Sequence, residues 1–133
     1  MPLKNTFRIC VLPGDGIGIE VTAAAVEILG AVSRRSGEFG LDFQNFAAGA
    51  EQYLASGVAM PEESWRAAEE ADAIFLGAMG LPRVRYEDGT EITPQLDLRF
   101  RFDLYAGVRP VSARRGGPLV LRDSRAGEVA FVL

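Results

Sequence analysis

The chain has 133 residues, a size suited to one domain, and its hydrophobic fraction of 48% is enough to bury a core. A net charge of −4 without a basic cluster argues against nucleic acid, and the lack of any long apolar run argues against a membrane-spanning helix, so the expectation is a soluble, cytoplasmic protein. With no histidine and one cysteine, the chain lacks the Ser-His and Cys-His nucleophile systems, most zinc sites and any internal disulfide.

The first element is a short buried strand from about Arg8 to Leu12, which breaks into Pro13-Gly14-Asp15-Gly16-Ile17-Gly18. A helix is predicted from about Ile19 to Ser36, with Val21, Ala25, Ile28, Leu29 and Val32 on one face that packs on a sheet. Leu41 to Phe46 alternates as a half-buried strand, Glu51 to Ala55 is a short helix, and Pro61 to Ala71 opens with proline and acids as a helix start does. Trp65 is assigned to the core. Asp72 to Gly77 is the next buried strand, and its apolar run ends in the loop Gly77-Ala78-Met79-Gly80-Leu81-Pro82. Val84 to Thr90 reads as a polar loop and Thr93 to Arg101 as a helix. Leu104 to Pro110 reads as a strand, Ser112 to Pro118 as a loop, and Glu128 to Leu133 as a further buried strand.

Three places in this plan can carry chemistry. The glycine corner at Gly14, Gly16 and Ile17 joins a strand to a helix whose first amides and positive dipole end can receive an anion, although a purely structural turn fits the same residues. It is not the dinucleotide fingerprint, because Gly14, Gly16 and Gly18 lack the G-x-G-x-x-G spacing. Arg99 and Arg109 lie ten residues apart and can aim two guanidinium forks at one point, a clamp for a substrate with more than one carboxylate. Taken by spacing alone, the pair fits solvated surface as well. Arg114 and Arg115 are assigned to a solvated patch.

The order of the motifs adds to this reading. Leu12-Pro13-Gly14-Asp15-Gly16-Ile17-Gly18, then Leu76-Gly77-Ala78-Met79-Gly80, then Leu98-Arg99 with Asp103-Leu104-Tyr105-Ala106 and Val108-Arg109-Pro110, closely resembles the N-terminal part of the β-decarboxylating dehydrogenases. That family comprises the isocitrate, 3-isopropylmalate, homoisocitrate and tartrate/D-malate dehydrogenases. The resemblance runs from about Arg8 to the last residue. It implies an α/β fold, the isocitrate/isopropylmalate dehydrogenase-like three-layer sandwich. It also implies oxidative decarboxylation of a 2-hydroxy acid bearing a further carboxylate, with NAD or NADP and with Mg²⁺ or Mn²⁺.

By the same resemblance, Arg99 and Arg109 bind substrate, and Thr93 and Gln95 correspond to a small hydroxyl and an amide near substrate and nicotinamide. For Thr93 and Gln95, helix capping and surface is the competing assignment. Gly14, Gly16, Ile17, Gly77 and Ala78 would face the cofactor. Asp15 and Asp103 are assigned structural roles, Asp103 as a tether at the helix-to-strand corner. The segment Gly89 to Leu98 matches neither the isopropylmalate nor the isocitrate pattern, so the substrate stays open.

Members of the family are longer two-domain chains, so residues 1–133 are expected to be the N-terminal part of the fold, with the metal ligands and the remaining catalytic groups outside it. Two functions follow as alternatives. One is a dehydrogenase, a homodimer when intact, whose 133-residue portion is inactive alone. The other is a non-catalytic fragment or partner subunit that binds a carboxylate or another chain.

Overall fold

The computed structural model describes residues 5–104, 106 and 107. Three parallel strands, β1 (Thr6–Leu12), β2 (Gly40–Asn45) and β3 (Ala73–Leu76), form a sheet in the order β2-β1-β3. The register sets Thr6 opposite Gly40 and Val11 opposite Asn45 on one side of β1, and Ile9 opposite Ala73 and Leu12 opposite Leu76 on the other. β1 is central, and Cys10, Val11 and Leu12 at its carboxyl end are fully buried. Being apolar on both faces, it suits a strand covered from both sides.

The connections decide what covers it. Helix α1 (Ile17–Ser36) carries the chain from β1 to β2, and α2 (Ala50–Ser56) with α3 (Glu62–Glu70) carries it back past β1 to β3. Right-handed crossovers running in opposite directions put α1 on one face and α2 and α3 on the other. Helix α4 (Pro94–Arg101) joins the second layer, where its Leu98 packs with Cys10, Leu12, Ala48, Met60 and Ala68 in the main core. The result is the three-layer α/β arrangement expected from the sequence. Ala50, Ala59 and Ile92 form a smaller cluster with Tyr53, Leu81, Val84 and Tyr86 around them.

Each element observed among the described residues lies within two residues of its predicted bounds. Trp65 sits at the rim of the main core, edge-on to Phe102 with ring centroids 6.5 Å apart and the Arg101 guanidinium 4.6 Å from its own. No strand begins at Leu104, which like Ala106 and Gly107 has no regular structure. Residues 108–133, with the expectations for Arg109, Arg114, Arg115 and the apolar run at the end, lie outside the described residues. Among the described residues no helix is long and apolar enough to cross a membrane.

Helix α1 buries a different face from the one its apolar spacing suggests. Val21, Ile28, Leu29 and Val32 are exposed, and the buried residues are Gly18, Thr22 and Ser33. Space explains the difference. A Cβ at Gly18 would collide with the carbonyl oxygens of Ala78 and Pro13, the Thr22 hydroxyl lies against Gly77, and Ser33 Oγ donates to the Phe39 carbonyl at 2.8 Å. Only small side chains let the helix approach the strand ends this closely.

Candidate functional site

Two loops leave the carboxyl ends of the neighbouring strands β1 and β3 and are zipped together there. The Gly77 N–H donates to the Leu12 carbonyl at 2.8 Å, and the Asp15 N–H donates to the Ala78 carbonyl at 2.8 Å. A Cβ at Gly14 would strike the Ala78 carbonyl, and one at Gly77 would strike the Pro13 carbonyl, so glycine is required by the closeness of the two backbones. Gly14, Gly77 and Ala78 meet at this corner, with their immediate surroundings taken up by each other and by Pro13. Gly16 and Ile17 form the open rim. A Cβ at Gly16 would meet only Leu81, and Ile17 begins α1 with no side chain capping its first turn. In that turn the Gly18 N–H donates to the Asp15 carbonyl at 2.9 Å and the Ile19 N–H to the Gly16 carbonyl at 3.2 Å, so what it offers an anionic group is chiefly its positive dipole end.

Asp15 holds this corner together. Its carboxylate, 3% exposed, accepts the N–H of Ala50 at 2.8 Å, of Glu51 at 2.8 Å and of Gly80 at 2.7 Å. It thus caps α2 from a distance of thirty-five residues in sequence and fixes the β3 loop with the same two oxygens. Gly49, the residue before α2, cannot cap the helix itself, and a Cβ there would run into the Asp15 carboxylate. The structural role read for Asp15 from the sequence is correct, but its partners were not foreseen. The available signal was a helix beginning Gly49-Ala50-Glu51 without Ser, Thr, Asp or Asn in the cap position, which needs its acceptor from elsewhere.

The third piece is α4. The β3 loop passes beside its entrance, where a Cβ on Gly80 would touch the Ile92 carbonyl oxygen at 3.5 Å, and Met79 packs on the core that holds Leu98. Thr93 stands in the cap position, yet its hydroxyl makes no cap bond, and its carbonyl takes the N–H of Leu96 at 2.8 Å. Gln95 and Arg99, four residues apart, share one side of the helix, while Pro94 and Leu98 are buried on another. Gln95 Oε1 is buried with no hydrogen-bond partner among the described residues, an arrangement that costs about 1–3 kcal/mol where no donor is present. Arg99 is exposed and makes no ion pair among the described residues, whereas the neighbouring Arg101 is taken up by Trp65. Among the described residues the Asp103 side chain makes no hydrogen bond, and the strand side of the corner it is expected to tether lies outside them. Asp103 ends the helix through its backbone, in the left-handed region at φ 48°, a conformation that Asp tolerates better than most residues.

Other ionisable groups are committed to structure. The Asp72 carboxylate accepts the Arg8 N–H at 2.7 Å. Among the described residues no three His, Cys, Asp or Glu side chains gather into a group that could hold a metal ion. Two open depressions, of about 170 and 270 Å³, lie between β1, β2 and α3 and beside Val58, Tyr86 and Asp97, and none of the candidate residues lines either. Among the described candidates, Gly14 and Ala78 are in contact, and Gly80 of the same β3 loop meets Ile92 beside Thr93.

Comparison with known proteins agrees with this geometry. The family described as isocitrate/isopropylmalate dehydrogenase matches residues 8–133. This chain belongs to the isocitrate/isopropylmalate dehydrogenase family. A 3-isopropylmalate dehydrogenase of Bifidobacterium longum is 37% identical over 134 residues, covering 98% of this chain and 37% of that protein. A probable tartrate dehydrogenase/decarboxylase of Agrobacterium vitis is 36% identical over 127 residues, covering 96% of this chain and 35% of that one. The crystal structure of a β-decarboxylating dehydrogenase from Thermococcus kodakarensis in its apo form superposes with a TM-score of 0.60 at 32% identity, over 74% of this chain and 27% of that one. The chain thus spans about a third of the length of the curated dehydrogenases it matches.

Proposed function

We propose that this chain supplies the substrate-carboxylate wall and the dinucleotide-facing loops of a cytoplasmic, homodimeric dehydrogenase that oxidatively decarboxylates a 2-hydroxy acid carrying a further carboxylate. The substrate is of 3-isopropylmalate, isocitrate, tartrate or D-malate type. The observation that carries this reading is Arg99, exposed and without an ion pair among the described residues, one helical turn after Gln95, whose buried oxygen has no partner among them. A planar guanidinium kept free on a rigid helix suits a carboxylate, which it can hold through two parallel N–H donors. Arg109, outside the described residues, is assigned the second carboxylate. Thr93 and Gln95 meet the substrate and nicotinamide side of the site.

The exposed Gly16 and Ile17 at the uncapped start of α1 fit the anionic part of NAD or NADP, with Gly14, Gly77 and Ala78 setting the position of that edge. When bound, such a cofactor supplies a hydride acceptor. The described residues do not form a divalent-metal site, so no step is assigned to Mg²⁺ or Mn²⁺ here, and ligands for either ion are expected outside this chain.

The test joins residues 1–133 to the part of the Bifidobacterium longum enzyme that this chain does not span and follows dinucleotide reduction with the four acids. One acid should be turned over with added Mg²⁺ or Mn²⁺, while the 133-residue chain alone shows none. Arg99→Lys and Arg109→Lys should each lower kcat/KM by about a hundredfold, because an ammonium keeps the charge but loses the fork, and Arg114→Lys should be nearly silent. Wild-type kinetics in the first two variants would remove the clamp from the proposal. Turnover by the 133 residues alone would show that the portion is already complete.

A further inference from the structure

The larger of the two depressions, about 270 Å³, lies where the end of α2, the start of α3, the turn carrying Tyr86 and helix α4 come together. Its walls include Val58, Met60, Trp65 and Tyr86, and its one charged side chain is Asp97. Asp97 stands two residues from both Gln95 and Arg99, which sets it across α4 from them. Its carboxylate takes no hydrogen bond and no ion pair among the described residues. Even Arg101, one turn further along the helix, gives its guanidinium to the Trp65 ring, 4.6 Å from the centroid. The Asp97 charge reaches across the depression, since the Tyr86 hydroxyl is raised first by burial and next by that carboxylate.

We propose that this depression binds a small quaternary ammonium ion, Asp97 meeting its charge and Trp65, Tyr86 and Met60 its methyl groups. The charge follows from the carboxylate, which has no cation of its own among the described residues. The methyl groups follow from the walls. Aromatic faces attract a cation through their quadrupole, and Trp65 already receives one in Arg101. A primary ammonium fits less well, because its three donors need acceptors and the nearby carbonyls are engaged. The Ala59 carbonyl takes the Gly49 N–H at 2.8 Å, and the Val58 carbonyl takes the Ser56 hydroxyl at 3.3 Å. A quaternary ammonium has no donor to satisfy. The volume lies at the low end for ligand pockets, which selects an ion of few atoms.

Trp65 is the chain's single tryptophan, so its emission reports on this depression. Tetramethylammonium chloride, titrated at constant ionic strength, should change that emission saturably, with a midpoint of about 1–10 mM, and should show broadening of its methyl resonance in proton NMR. tert-Butanol, a neutral molecule of nearly the same shape, should bind at least about tenfold more weakly. Asp97→Asn should weaken tetramethylammonium binding at least about fivefold. Val58→Lys, at a half-exposed rim position, tethers an ammonium beside Asp97 and should compete to a similar extent. Both positions are exposed, and circular dichroism matching wild type separates lost binding from lost fold. Equal binding of tert-butanol, unchanged binding in either variant, or no saturable response up to about 100 mM would overturn the proposal. The NMR titration is repeated on the chain joined to the remaining length of the Bifidobacterium longum enzyme, where Asp97→Asn should weaken binding by the same factor and an equal response from wild type and variant would overturn it. No hydroxy acid or dinucleotide is present in these titrations, so their outcome is independent of the substrate assignment.

Discussion

Replacing Asp15 with alanine should do more damage than any other single change to a polar side chain among the described residues. Three backbone donors from two segments end on its carboxylate, Ala50 and Glu51 at 2.8 Å and Gly80 at 2.7 Å, at a position only 3% exposed. A hydrogen bond to a charged group is worth about 1.5–3 kcal/mol and a lost helix cap about 1 kcal/mol, and these overlap here, so Asp15→Ala should cost roughly 3–5 kcal/mol. For a chain of this size that is a fall of roughly 12–20 °C in thermal midpoint.

Asp15→Asn sharpens the test. Its single oxygen can keep the shared pair Ala50 and Gly80, while its amide then faces the Glu51 N–H donor to donor, so the loss should be intermediate, about 1.5–3 kcal/mol. Gly49→Ala should destabilise the wild-type protein, because its Cβ meets the carboxylate and its φ is 124°, and should cost less in an Asp15→Ala background where the carboxylate is gone. Urea unfolding followed by circular dichroism measures all four. An Asp15→Ala protein within about 0.5 kcal/mol of wild type, or strict additivity with Gly49→Ala, would refute the tie.

Cys10, fully buried at the centre of β1, has its thiol pushed above the ordinary value by burial, so a thiol reagent should label it at least about a hundredfold more slowly in native buffer than in denaturant. Rapid labelling under native conditions would show that β1 is not covered as described. Tyr86, edge-on to Tyr53 with centroids 5.1 Å apart, is raised first by burial and then by the negative charges of Asp97, ionised Tyr53 and Asp88. Its folded form holds the proton more firmly, so its contribution to stability is present below the ordinary tyrosine range and is lost as pH rises through about 10 and beyond. Wild type should therefore lose stability more steeply than Tyr86→Phe in that window, and parallel pH profiles would contradict the shift.

What the sequence disclosed and what it concealed divide along a physical line. Strand and helix periods, the breaks at Pro13-Gly14 and Gly77, and the proline that opens α4 are local signals, and they located every described element within two residues. Long-range partners leave no such trace. The Asp15 carboxylate meets Ala50, Glu51 and Gly80 only after two crossovers bring those segments together. The same holds for the close approach of Gly14 to Ala78 and of Gly77 to Pro13, where glycine is needed for contact between backbones and would also be expected if a ligand came close.

Helix α1 shows why apolar spacing can mislead about a face even when it finds the helix. Periodicity locates the widest apolar stripe, but the sheet side of α1 is chosen by volume, since only Gly18, Thr22 and Ser33 fit beside the ends of β1 and β3. Once those small residues occupy the sheet side, Ile17, Val21, Ile28 and Val32 must turn outward. A helix with a small-residue face and an apolar face is built to be buried from two sides, and in this chain one side is met by the sheet. The same reasoning applies to α4. Leu98 anchors the helix in the core and holds Gln95 and Arg99 on an adjoining side, so rigidity for the proposed carboxylate wall comes from packing that Arg99 itself does not make. Among the described residues this helix carries an exposed guanidinium without an ion pair beside a buried oxygen without a partner, which is what the proposed function asks of a wall that orients a carboxylate.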